Sequence, residues 1–148
     1  MASVEARRLV LRNDLAELQR LAGWIQGWSD AIVPSSDVSF AVQLCLEEAV
    51  ANVIMYGSPK GGTLEIAVEV GRDDGAWVAL IEDNGRQFDP TTVPPPVPPT
   101  SLDDAKIGDV GIHLMRSFAD HMHYERRDGR NRLTLRFVEP QASVRPAG

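Results

Sequence analysis

The stretch Leu44-Cys-Leu-Glu-Glu-Ala-Val-Ala-Asn-Val-Ile-Met55 decides how the rest of the chain is read. Its composition is that of a long, largely buried helix, yet two polar residues stand where such a helix should be apolar. At about 100° per residue, Glu48 and Asn52 fall roughly 40° apart on the helix wheel. Their neighbours on that side are Ala41, Leu44, Cys45 and Met55. The solvent side of the first turns lies elsewhere, near Ser39, Gln43 and Glu47, and Val50 and Ile54 interrupt it further on. An unpaired buried carboxylate is costly, or it neutralises. The two residues therefore face a cleft, a metal or a ligand, unless Glu48 is bonded to backbone and Asn52 lies near a helix end.

Outward from this helix, Ser35 or Ser36 supplies its cap, and the periodicity carries it to about Tyr56. Before it, residues 4–12 read as a strand. Asn13 or Asp14 caps a helix in which Leu15, Leu18, Leu21, Ala22, Ile25 and Trp28 recur at helical spacing up to about Ile32, where Pro34 stops it. After it, Gly57–Gly62 is a turn by composition. Thr63–Val70 alternates, with Leu64, Ile66, Val68 and Val70 on one face. Arg72-Asp-Asp-Gly75 turns it back into Trp77–Glu82, giving an antiparallel hairpin. Residues 91–101 hold five prolines and exclude helix and central strand, so the loop between Phe88 and Ile107 is expected to be extended, exposed and lid-like. Gly108–Asp120 opens on glycines and becomes a helix. His121–Arg127 and Arg132–Val138 form a second hairpin around Asp128-Gly129, and Glu139–Gly148 is a tail.

With 148 residues, 43% of them hydrophobic, the chain holds one domain with a real core. A net charge of -6 argues against duplex nucleic acid as partner, because phosphate binding needs a basic face. The single cysteine, Cys45, excludes an intramolecular disulfide and reads as packing. No signal region opens the chain and no run reaches membrane-spanning length, which points to the cytoplasm. The basic run Arg126-Arg127…Arg130…Arg132 reads as a solvated hairpin edge, Trp24, Trp28 and Trp77 as core, and the three histidines lack metal-ligand spacing.

Three segments carry the residue types of nucleotide chemistry. An amide oxygen such as that of Asn52, with phosphate oxygens and waters, makes a hard shell for Mg²⁺, and Glu48 one turn away can take a proton from a hydroxyl attacking a phosphate. Asp83-Asn-Gly85 stands at a strand end. Its carboxylate can accept a bond from an exocyclic amine such as that of adenine, and Gly85 permits close approach; an ordinary turn has the same composition. Gly108-Asp-Val-Gly111 stands at a helix start, where free N–H groups attract anions; Gly111 equally permits tight packing.

Together these segments resemble the ATP-binding domain shared by DNA gyrase B, the heat-shock chaperone of the same fold, histidine kinases and mismatch-repair MutL proteins. Within that superfamily the chain looks most like the small bacterial anti-sigma-factor serine kinases. The residues that carry the resemblance are Glu48-Ala-Val-Ala-Asn52, Asp83-Asn-Gly-Arg-Gln-Phe-Asp-Pro90, Gly108-Asp-Val-Gly-Ile-His-Leu114 and Asn131-Arg-Leu-Thr-Leu135, in order across about residues 5–138. Asp109 and Gln87 depart from the family pattern. The resemblance implies an α+β fold: a two-layer α/β sandwich, its mixed and mostly antiparallel sheet carrying helices on one face. It also implies that ATP and Mg²⁺ are bound, with Glu48 as general base, Asn52 on the metal, Asp83 on the adenine amine and Gly85 beside the base. Gly108 and Gly111 would hold phosphate through their backbone; Asn131 and Thr134 are looser matches. The implied activity is phosphorylation of a serine on a small antagonist protein, with a sigma factor as second partner and a homodimer as a common state. A non-catalytic nucleotide- or protein-binding switch, or a histidine-kinase-like ATPase, is the alternative.

Overall fold

A computed structural model of the chain describes residues 4–57, 64–94 and 107–140. Hydrophobic alternation with a period of two produces five strands: β1 (Val4–Arg12), β2 (Glu65–Asp73), β3 (Ala76–Asp83), β4 (His121–Arg127) and β5 (Arg130–Val138). They form one sheet in the order β1-β2-β3-β5-β4. All four pairings are antiparallel, so the parallel component that the word mixed allowed for is missing among the described residues. Both hairpins turn through a residue pair with positive φ, Asp74-Gly75 (49° and 78°) and Asp128-Gly129 (52° and 75°), as the right-handed twist of the flanking strands demands.

Three helices, α1 (Glu17–Ile32), α2 (Ser36–Tyr56) and α3 (Ile107–Phe118), take up the apolar face of the sheet. Leu9, Leu11, Ile66, Val68, Ile81, Leu133 and Leu135 point into this layer, and Leu21, Ile25 and Trp28 of α1 close it from above. Trp28 meets Trp77 edge to face at 5.4 Å, and Trp77 Nε1 donates to Glu139 at 3.0 Å, so these two tryptophans belong to the core. Helix α2 is long and apolar enough to span a membrane by composition, contrary to the expectation for every run in the chain. Its seat is the centre of the core, where Val38, Val42, Leu46 and Val50 are buried.

The caps differ in one place from the sequence expectation. Ser35 Oγ accepts from Val38 N at 3.2 Å and caps α2. Asp14 does not cap α1: its carboxylate accepts from Ala16 N at 2.9 Å, one residue ahead of the helix, and Glu17 Oε2 turns back to Arg12 N at 3.0 Å. The chain tightens before the helix rather than on it. The turn expected at Gly57–Gly62, the proline-rich run and the end of the tail fall largely at residues 58–63, 95–106 and 141–148, outside the described residues; within the loop, Pro90–Thr92 forms a single 3₁₀ turn.

Helix α1 ends at Val33 in the left-handed conformation, with φ 54° and ψ 56°, although Val33 is β-branched and 76% exposed. That backbone region costs a side chain with a Cβ about 1–2 kcal/mol. Val33→Asn should therefore raise stability by about 1 kcal/mol, read as a higher urea midpoint at unchanged slope; an unaltered midpoint would show the strain to be absent.

Candidate functional site

The register of the sheet puts two polar residues at the end of an apolar row. Leu11 faces Ile66, Ile66 faces Asp83, Asp83 faces Asn131 and Asn131 faces Arg126 across the five strands. Asp83 and Asn131 are only 4% and 6% exposed. They satisfy one another: Asn131 Nδ2 donates to Asp83 Oδ1 at 3.0 Å and to the Arg86 carbonyl at 2.8 Å, while Gly85 N donates to the same Asp83 oxygen at 2.9 Å. Asn131 Oδ1 accepts from the Tyr124 hydroxyl at 2.5 Å and from Phe88 N at 3.3 Å. One buried amide thus fixes the carboxylate, the turn after β3 and the strand edge together. Burial raises the Asp83 carboxyl above its usual range, against the lowering effect of the Asn131 and Gly85 bonds and of the Arg126 charge.

Helix α2 is tied to this turn at its C-terminal end. Arg86 N donates to the Gly57 carbonyl at 3.0 Å, and a Cβ on Gly85 would fall on that carbonyl oxygen. Arg126 Nη1 donates to the Gly85 carbonyl at 2.8 Å, so this arginine anchors the turn and is not the solvated edge expected for it; Arg130 and Arg132 pair with Glu82 at 3.5 and 3.4 Å. The result is a cleft between α2, β3 and β5, with Ala49, Asn52, Ile81, Asp83, Met115 and Tyr124 among its walls and about 520 Å³ of space counting its open mouth. Its walls are mostly apolar with a few polar groups, the pattern of small-molecule sites.

Of the residues singled out from sequence, Asn52, Asp83 and the Gly85 turn meet at this cleft. Asn52 Nδ2 is buried and has no hydrogen-bond partner. Which end of an amide carries nitrogen is an assignment; either way a polar atom at the cleft wall is left for something else to satisfy. Glu48 is not among the cleft walls. Half-buried, it lies between α2 and α3, its carboxylate carbon 3.4 Å from where a Cβ on Gly111 would stand and its Oε2 closer still. The missing side chain of Gly111 is what admits this carboxylate. Gly108 lies in the first turn of α3, where N–H groups lack helical acceptors; Gly111 follows that turn. Thr134 pairs with Leu80 and His123 inside the sheet and is not a cleft residue.

The row Ala41, Cys45, Glu48, Asn52 is the face that α2 turns toward α3. Cys45 Sγ approaches the Met115 carbonyl at 3.9 Å, and its thiol is pushed up to about 12 by burial and by the Glu48 charge, so it is packing and not a nucleophile.

The histidine kinase-like ATPase domain family matches residues 11–137 of the chain. The chain belongs to that family. This ATPase domain is also 39% identical, over 102 residues covering 68% of it and 71% of the relative, to the serine/threonine-protein kinase BtrW of Bordetella bronchiseptica. Its fold matches part of a solved chain that holds the RsbU and RsbW domains of a Mycobacterium tuberculosis protein, with a TM-score of 0.64 at 14% identity, over 91% of the chain. It spans 32% of that larger chain. The family and the two-layer fold that the four motifs implied are therefore both found.

Tyr124, Arg126 and Gly57 were not singled out from sequence as site residues, Arg126 being read as a solvated edge and Gly57 as a turn, and Asn131 entered only as a loose motif match. One signal was available: Asn131 continues the inward set Leu133, Leu135 and Phe137 at a period of two. For the other three, only the folded register shows what they touch.

Gly111→Ala forces the end of the Glu48 side chain aside, so the change should be less favourable in the parent than in Glu48→Ala. Urea unfolding of the four proteins should give a coupling of about 0.5 kcal/mol or more; additive effects would mean that the two residues are not in contact. Asp83 gives a pH signature. Its raised value favours the protonated form in the fold, so its contribution is full below the usual 3.8 and fades as pH rises through the folded-state value. Asp83→Asn should accordingly gain stability relative to the parent as pH climbs from that point toward neutrality; parallel curves would remove the assignment.

Proposed function

We propose that this ATPase domain is a cytoplasmic protein serine kinase that acts as an anti-sigma regulatory factor, transferring the γ-phosphoryl group of ATP to a serine of a small antagonist protein. The observation that carries the reading is the unpartnered buried amide of Asn52, facing the same cleft as the Asp83 carboxylate. The name of the BtrW relative supports the reaction class.

In this reading the adenine enters between Ile81, Met115 and Leu133, and its exocyclic amine donates to Asp83. Among the described residues the bonds to that carboxylate use Oδ1, which leaves Oδ2 for the base. Gly85 keeps the turn low enough for the ring to lie against it. The Gly108 end of α3 offers N–H groups to the phosphates, and Gly111 leaves room for the Glu48 carboxylate beside them. Asn52, together with phosphate oxygens, would hold Mg²⁺, which would supply charge neutralisation. Glu48 accepts the proton of the serine hydroxyl as its oxygen attacks the γ-phosphorus; ADP departs, and the phosphoserine keeps the transferred group. A sigma factor is the second partner, held while the antagonist is phosphorylated and released when it is not.

A switch that binds nucleotide without transfer is the second reading, and Asp109 in the glycine-rich segment favours it, because a carboxylate there opposes phosphate.

The test is labelled Mg-ATP with a serine-bearing antagonist. Transfer should fall by about 10²-fold or more in Glu48→Ala, while calorimetric Mg-ATP binding by that variant stays within a few fold of the parent. Asn52→Ala should lose the Mg²⁺-dependent part of binding. Equal transfer by parent and Glu48→Ala would remove the catalytic role; micromolar binding without any transfer would leave the switch.

A further inference from the structure

The cleft occupies one end of the α2–α3 pair, and the other end is also exposed. Helix α3 runs antiparallel to α2, Gly111 lying at Glu48 and Phe118 at Phe40. The two phenyl rings meet edge to face at 5.6 Å, yet they are 57% and 39% exposed. With Phe137 and the half-exposed Val138 they line a groove of about 660 Å³ counting its open side. Scattered exposed apolar residues are ordinary; an aromatic pair that borders a groove marks an interaction surface. The rings already hold each other, so little side-chain freedom remains to be lost on docking. Along α2, twelve residues separate Phe40 from Asn52, about 18 Å at helical rise. This surface is separate from the cleft and does not rest on the nucleotide reading.

Among the described residues the charge on the groove has one sign. Asp37 stands on its α2 side and Asp120 on its α3 side, and none of the described lining residues is a lysine or arginine. Asp120 Oδ2 accepts from Val138 N at 2.6 Å, which fixes that carboxylate at the rim. Arg116, the basic residue of the last turn of α3, is taken up by the Pro90 and Thr91 carbonyls at 2.9 and 3.0 Å, and Arg136 pairs with Asp73 at 3.5 Å.

We propose that the Phe40–Phe118 groove docks a partner protein through a basic amphipathic helix. An apolar side chain of the partner rests against the two rings, and flanking lysines or arginines face Asp37 and Asp120.

The probe is a synthetic helical peptide with leucines at i, i+3, i+4 and i+7 and lysines between them, added to the full chain. Amide NMR shifts should move at Phe40, Ala41, Ser117, Phe118 and Val138. Affinity should fall about tenfold or more in Phe40→Ser, and comparably in the Asp37→Asn, Asp120→Asn double variant, with the parent unfolding midpoint checked to show that both fold. A glutamate-for-lysine version should not bind. Shifts confined to other surfaces, or equal binding of the glutamate peptide, would overturn the proposal. So would concentration-dependent self-association of the chain that Phe40→Ser abolishes, since the face would then serve a second copy. Movement of the same amides on removal of residues 141–148, without any peptide, would give the groove to the chain's own tail and overturn it as well.

Discussion

Glu48 can lie between two packed helices because Gly111 has no side chain. Each apolar position of α2 could be refilled by another apolar residue of similar volume at modest cost. A Cβ at Gly111 would meet that carboxylate, and the acid would have to turn aside. The absence of a side chain there lets α3 and the acid lie against one another. It thereby sets where the Gly108 end of α3 lies relative to the acid, and where Met115 enters the cleft wall. The apolar core supplies the stability of the two-layer fold; this contact fixes the spacing within it.

A second constraint works at right angles to the first. Gly57 closes α2 and receives Arg86 N, and Gly85 allows the two backbones to touch. The helix is therefore joined to the end of β3 by backbone atoms, whose positions vary less than those of side chains. Asn52 and Asp83, 31 positions apart in the sequence, owe their meeting to this junction.

Much of this was readable from residue order. Periods of two and 3.6 gave the strands and helices to within a few positions, and the Asp-Gly pairs at 74–75 and 128–129 gave both hairpins, because a turn with two positive φ values admits few other residues. The inner polar residues of α2 were visible because burial makes an unpartnered amide or acid conspicuous. What residue order could not give was strand pairing. That β5, not β4, lies beside β3 is a long-range fact, and it alone brings Asn131 to Asp83 and Arg126 to Gly85. For the same reason the arginines of the basic run Arg126–Arg132 read as solvated although each of the four has a partner. That Glu48 lies against Gly111 of α3 also escaped, since a helical wheel shows which side a residue takes and not which neighbour occupies it.

Asn131 holds Phe88 N, Asp89 accepts from Thr91 N, and Arg116 holds the carbonyls of Pro90 and Thr91. The segment that leaves β3 is thus stitched to the sheet and to α3 before any guest arrives. Restricting that backbone is a cost met when the polypeptide folds, so it is not charged again to association. One margin of the cavity behaves as rigid wall, and affinity there is governed by fit instead of by ordering.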